Sequence, residues 1–153
     1  MSDDILFRHA VKADLPAIIA LHEADEMGGH GDAWTPELQP VYEAAFDELI
    51  ADPRERVFVA EQHGAVIGSM IATLLVELTG RGKPHVVFRS IQVASSHRSL
   101  GIGAAMMAFA ENDARARDAV VAELTSNIKR KDAHRFYDRL GYAQSHLGFK
   151  KKL

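Results

Sequence analysis

Hydrophobic positions in this chain follow two periods. Leu15, Ile18, Ile19 and His22 fall at i, i+3, i+4 and i+7, the rhythm of a helix with one buried stripe. Asp14 precedes them as a cap, and Pro16 sits in the first turn. A second helix is predicted over about 36–51, ended near Pro53. Ile102, Ala105, Met106, Phe109 and Ala110 form another stripe and predict a helix over 101–116. A last helix is predicted over 131–140, stopped by Gly141.

The other period belongs to strands. Residues 5–10, ILFRHA, read as a short strand. Residues 57–62 and 65–78 read as two strands joined by a His63-Gly64 turn. The second is nearly all apolar, which predicts a central strand covered on both faces, with Gly68 marking a bulge. Further strands are predicted at 85–94, 119–126 and about 142–149, while 23–37 and 79–84 read as loop and turn. The order βααβββαβαβ predicts an α/β (α+β) fold in one domain, residues 1–153, with a mixed sheet and helices on both faces.

Composition narrows the function classes. The chain is 47% hydrophobic and 25% charged, as ordinary globular domains are. A net charge of −3 provides no general basic face for nucleic acid. No stretch reaches the ~18 apolar residues of a membrane span. The acidic start, Met1-Ser2-Asp3-Asp4, lacks the apolar core of a signal peptide, so a cytoplasmic location is expected. There is no cysteine, which removes disulfides, thiolate metal sites and a cysteine nucleophile. No metal is expected.

One stretch asks for a chemical explanation. VASSHRSLGIGAAMMAFAEN, residues 93–112, passes from strand to helix through R-x-x-G-x-G. A helix N-terminus exposes unpaired N–H groups and partial positive charge, so an anion is its natural partner. Gly101 and Gly103 remove side chains that would keep a phosphate off the backbone. Arg98 adds a permanent charge and a donor fork, and Ser95, Ser96 and Ser99 are further donors or caps. The alternative is a packing turn with a solvated arginine. A Walker loop needs G-K-[ST], which is absent. A dinucleotide fingerprint needs a small residue where Met106 stands.

With that turn in that order of elements, the chain resembles the GCN5-related N-acetyltransferase (GNAT) superfamily over nearly its whole length. The resemblance implies a mixed, mostly antiparallel sheet of six to seven strands flanked by about four helices, with acetyl-CoA as cosubstrate. It implies that Arg98, Ser99, Leu100, Gly101, Ile102, Gly103 and Ala104 hold the pyrophosphate. The main chain of Ile91, Gln92 and Val93 would bind the pantetheine arm and the thioester carbonyl where the strand splays from its neighbour. A second segment, ELTSNIKRKDAHRFYDRLGY (123–142), resembles the family's C-terminal motif. There Asn127 would hydrogen-bond the cofactor arm, Ala133 would allow close approach, and Phe136 and Tyr137 would border the arm. Tyr137 would act as general acid toward the coenzyme sulfur. The C-terminal third is also similar to the aminoalkylphosphonate N-acetyltransferases.

The same resemblance implies transfer to a primary amine, of a small molecule or a protein, by direct attack in a ternary complex. Many relatives carry a glutamate near Arg89 or Ser90, but no acid lies between 85 and 94. The base is then His85, Glu77, His30 or a relayed water. His134, three before Tyr137, reads as structural or cofactor-adjacent. The 23–34 loop would border the acceptor, and its Glu23, Asp25, Glu26 and Asp32, with His30 and Trp34, would draw a cationic amine. Glu26, His30 and Trp34 are the substrate candidates. The loop has no lysine or arginine to favour a phosphonate. Lys129, Arg130 and Lys131 would reach the coenzyme's 3′-phosphate or remain solvated. A homodimer is a frequent state in the family. The competing readings are a non-catalytic acyl-CoA-binding module and an aminoalkylphosphonate-specific transferase.

Overall fold

A computed structural model describes residues 4–28 and 30–153. Strand β1 (Ile5–His9) leads through a 3-10 turn into helix α1 (Leu15–Glu23), and a loop leads to helix α2 (Gln39–Ala51). Strands β2 (Glu55–Gln62), β3 (Ala65–Leu75) and β4 (His85–Val93) follow, then helix α3 (Ile102–Ala116), strand β5 (Val121–Leu124) and helix α4 (Lys131–Arg139). The sheet has the order β1-β2-β3-β4-β5. Its first four strands pair antiparallel, and β5 joins β4 in parallel after the α3 crossover.

Five strands form among the described residues, not the six to seven expected, and the order is βααβββαβα. The strand expected at 142–149 is absent: this segment joins no ladder, and Leu147 and Phe149 are exposed. Alternating side chains mark a strand only where a neighbouring edge supplies hydrogen bonds. β3 likewise ends at Leu75, and Val76 and Leu78 beyond it face solvent.

A core lies on each face of the sheet. On one face Phe58, Met70, Val86 and Phe88 pack against Ile102, Met106, Met107 and Ala110 of α3. Phe109 meets Phe58 edge-on at 5.1 Å. Ala105, expected in the stripe, is exposed, and Met107 is buried in its stead. On the other face Leu15 and Ile18 of α1 and Phe46 of α2 cover Val57 and Val59. Burying each large side chain contributes roughly 1.5–3 kcal/mol.

Asp14 has a different task from capping α1. Its carboxylate accepts two bonds from the Arg8 guanidinium, at 2.7 and 2.9 Å, and one from the Val11 N–H at 2.8 Å. Arg8 holds the Asp14 carboxyl below the usual carboxylate range. Arg8 also donates to Glu61 at 2.8 Å, so one cation ties β1, β2 and the start of α1.

Two bulges shape the centre of the sheet. In β3, Ala60 faces Gly68 while Glu61 faces Val66, leaving Ile67 as the extra residue. A Cβ on Gly68 would stand 3.2 Å from the Gln92 carbonyl oxygen. In β4, Gln92 faces Ser69 and Arg89 faces Ile71, so Ser90 and Ile91 together oppose Met70. Ser90 takes φ of 53° there. β4 pairs with β5 only over His85–Phe88, and beyond that its outer edge has no strand beside it. The result is an open notch between the second half of β4 and the chain leaving β5.

Candidate active site

The notch ends at the turn that the sequence singled out. After a 3-10 turn at Ser95–His97, the chain reverses through Ser99 and Gly101, with φ of 63° and 80°. Gly101 occupies the N-cap of α3, and no side chain caps the helix. The first-turn amides have no partners within the helix, and a Cβ on Gly101 would meet nothing within 4 Å. This surface can accept an anion. Gly103 serves another purpose: a Cβ there would stand 3.2 Å from the Phe136 ring. That glycine lets α4 lie against α3, a packing role that the sequence reading did not assign to it. Ile102 is a core side chain and Leu100 is exposed, so what either brings to the turn is main chain. Ala104 follows in the same first turn.

Arg98 is tethered beside the strand end. Its Nε donates to the Val93 carbonyl at 3.1 Å. It borders a cavity of about 250 Å³ that also meets Val93, Ser95, Ala17 and Ala20 of α1, and Ala24 just after that helix. Small side chains on that face of α1 leave room next to the guanidinium.

The C-terminal motif closes the other side of the notch. The Asn127 side-chain oxygen accepts the Lys129 N–H at 2.9 Å, and its carbonyl accepts the Arg130 N–H at 2.9 Å. His134 Nε2 also lies 2.9 Å from that carbonyl. Asn127 and His134 thus shape the turn into α4. Ala133 and Tyr137 follow on α4, both half-buried. The Tyr137 ring meets those of Phe136 and Tyr142 at 5.1 and 6.1 Å. Burial pushes the Tyr137 phenol above its ordinary value, against the opposing pull of Arg130. It therefore holds its proton at neutral pH, as a general acid must.

A clasp spans the notch. The buried Gln92 side chain donates to Asp25 Oδ2 at 2.8 Å, and Arg130 donates to the same oxygen at 2.5 Å. Burial opposes the Asp25 charge, but the bonds from Arg130 and Gln92 outweigh it and hold the carboxyl below its usual range. Gln92 therefore offers its main chain to the notch while its side chain anchors the loop after α1.

A second cavity, of about 260 Å³, lies between α1, α2 and the bulged strands. Its walls are largely apolar, including Ile18, Ile19, Phe46 and Leu49. Its polar groups are His22, His30, Asp32, Tyr42, Ser69 and Ser90. The Tyr42 hydroxyl donates to Asp32 at 3.0 Å and accepts the Ala33 N–H at 3.2 Å. Trp34 stacks on Tyr42 at 6.0 Å. Burial lowers the His22 pKa despite the raising influence of Asp32 and Asp25, and His30 adds to the lowering. His22 is neutral at pH 7. The Ser69 hydroxyl is buried in this wall and has no partner among the described residues.

The structure gathers some of the expected site residues and separates others. Arg98, the 99–104 turn, Ile91, Gln92, Val93, Asn127 and the Ala133–Tyr137 stretch surround the notch. His30 lines the cavity, Trp34 braces it through Tyr42, and Glu26 is exposed outside the lining. His85 stands at the start of β4, where its Nδ1 lies 2.9 Å from Glu123 Oε1. Six residues separate it from Ile91, roughly 20 Å at ~3.3 Å per strand residue. Glu77 lies in the loop after β3, at that same end of the sheet. Neither lines the cavity. His22, Asp32, Tyr42, Ser69 and Ser90 take polar positions there instead. His22 was visible in the sequence only as one step of a buried stripe.

Among the described residues no group of three or more His, Asp or Glu is placed to hold a metal ion. No described helix is long and apolar enough to cross a membrane.

Comparison with known proteins agrees with this geometry. Residues 16–142 match the acetyltransferase (GNAT) family. The chain is 36% identical over 108 residues to an aminoalkylphosphonate N-acetyltransferase of Salmonella typhimurium, covering 71% of this chain and 70% of that one. That likeness extends well beyond the C-terminal third. A crystal structure of a transcriptional regulator from Bacillus halodurans superposes with a TM-score of 0.93 at 27% identity, covering 98% of this chain and all 100% of that one. Glucosamine-6-phosphate N-acetyltransferase from Arabidopsis thaliana shares the fold at a TM-score of 0.81 and 14% identity, covering 97% of this chain and 98% of that one. An uncapped helix end beside a half-paired strand, carried on this α+β sheet, thus has a known context: the chain belongs to the GNAT family of acetyltransferases and is an N-acetyltransferase.

Proposed function

We propose that this enzyme transfers the acetyl group of acetyl-CoA to a primary amine of a small molecule, by direct attack in a ternary complex. One observation carries the reading. The notch with its open, uncapped α3 N-terminus and the cavity between α1, α2 and the sheet both border the Ser90–Val93 half of β4. Two reactants can then meet across one strand.

The residues fit the cosubstrate. The first-turn amides of α3 and the Arg98 guanidinium would hold its diphosphate. The unpaired edge of Ile91–Val93 would bind its arm, with Asn127, Ala133 and Phe136 alongside. Acetyl-CoA, when bound, supplies an acetyl group already activated as a thioester. The transfer forms one C–N bond and breaks one C–S bond. An ammonium acceptor gives up two protons, one released to solvent through a base and one finishing on sulfur. Neutral His22, in the cavity wall, takes the proton that frees the amine lone pair. The Tyr137 phenol gives its proton to the departing sulfur and regains one from the acceptor nitrogen. His85 and Glu77 lie too far along the sheet for the base role.

Titration with coenzyme A followed by an amine-dependent thiol-release assay tests the proposal. Binding of the coenzyme with thiol release on adding amine is expected. Binding without release under any amine would make the chain a non-catalytic acyl-CoA-binding module, and no binding would remove the notch from function.

A further inference from the structure

We propose that the acceptor is a primary amine on an apolar body, carrying no anionic group, seated in the cavity between α1, α2 and the sheet. This inference rests on the acetyl-transfer reading above. It names the substrate class from the chemistry of the cavity wall.

Four features point the same way. First, the lining includes no lysine or arginine. A phosphonate or carboxylate would enter without a permanent cation to pair with and would face the Asp32 carboxylate. Partly desolvating an anion with no cation beside it is costly. The permanent cation nearest the loop, Arg130, is already bonded to Asp25. Second, Asp32 is fixed by Tyr42, and the Trp34 ring lies stacked behind that tyrosine. A carboxylate beside an aromatic face suits an ammonium head. Third, Ser69 buries a hydroxyl that no described residue satisfies. Such a group has a cost of ~1–3 kcal/mol when left alone, and an N–H donor in the cavity would remove it. Fourth, Ile18, Ile19, Phe46 and Leu49 give the rest of the acceptor an apolar wall. A second charge on a diamine would lie against these side chains.

The cavity volume sets a scale for the group seated inside it. At roughly 30 Å³ for each water-sized group, a cavity of about 260 Å³ takes roughly nine of them. An arylalkylamine or a short branched alkylamine fits.

The test compares phenethylamine, 2-aminoethylphosphonate and putrescine as acceptors with acetyl-CoA. Phenethylamine is expected to show kcat/KM at least tenfold above the other two. In Ala45→Phe, a change at an exposed α2 position that lines the cavity, the phenethylamine KM should rise at least tenfold. Turnover that favours 2-aminoethylphosphonate or putrescine would overturn this inference and leave acetyl transfer standing. So would an unchanged phenethylamine KM in Ala45→Phe. Calorimetric binding of phenethylamine, weakened by Ala45→Phe, with no thiol release from any amine would do the reverse. It would keep the cavity assignment and end the acetyl-transfer reading.

Discussion

The two sides of β4 are built on opposite principles. The side proposed for the cofactor is made of consecutive residues and main chain: a strand without a neighbour, a left-handed Gly101 and a helix with free amides. The side proposed for the acceptor is made of side chains brought from α1, the following loop, α2, β3 and β4. Backbone chemistry is the same whatever the acceptor, so one turn can serve any member of a family. Side-chain chemistry carries the choice of substrate. The likeness to an aminoalkylphosphonate N-acetyltransferase therefore speaks for the shared reaction more strongly than for the shared acceptor.

The sharpest way to break this contrast is His22→Asn. If the acceptor side holds the base, kcat/KM for the amine at pH 7 should fall on the order of 100–1000-fold, with coenzyme A affinity unchanged. The pH profile gives the sign. Burial depresses the folded His22 pKa, so its base form persists to lower pH than in free histidine, and the acidic limb of the native enzyme should lie below about 6.5. In the variant, activity should climb with pH until the amine itself deprotonates, near ~10. A profile identical to wild type would return the base to a relayed water.

How much of this was legible differs between the sides for the same reason. R-x-x-G-x-G and the A-x-x-F-Y helix are local, and a local motif survives in one dimension. The role of Gly103 was not legible, because its neighbour Phe136 lies 33 positions away and only the fold brings them together. The segments that form β1 to β4 and α3 were legible from periodicity, and the mostly antiparallel pairing was implied by the resemblance, while the strand expected at 142–149 failed because periodicity cannot supply a pairing edge. His85 and Glu77 were chosen for proximity in sequence to β4. The strand's rise of ~3.3 Å per residue carries them to the end of the sheet away from Ser90–Val93. His22, Asp32, Tyr42 and Ser69 share no spacing that a motif could capture.

Tyr137→Phe probes the seam between the sides. The variant should keep its affinity for coenzyme A and lose about 100-fold in kcat, near the low end for proton-transfer catalysis because a thiolate leaves tolerably without help. Loss of affinity with kcat intact would make α4 a binding element only. Arg98→Ala should do the reverse, weakening coenzyme A by about 1–3 kcal/mol while the acceptor KM stays the same. Calorimetry and steady-state kinetics separate the two outcomes, and an unchanged dissociation constant would remove Arg98 from the site.

The smallest effect belongs to Ser69→Ala, and its sign is the informative part. Most substitutions of a buried residue destabilise. Here the hydroxyl is 2% exposed and unpartnered, so the folded protein bears its desolvation without a compensating bond. Removing it should leave stability level or raise it by up to ~1 kcal/mol, seen as an increase of roughly 2–4 °C in Tm for a chain of this size. The same substitution should raise the acceptor KM a few-fold, because the amine loses a hydrogen-bond acceptor on the wall it faces. A gain in stability paired with weaker acceptor binding is what a group held in reserve for a ligand produces. A fall in Tm with KM unchanged would mean that the hydroxyl serves the fold, and the cavity would then have no polar group waiting for the amine on the β3 side.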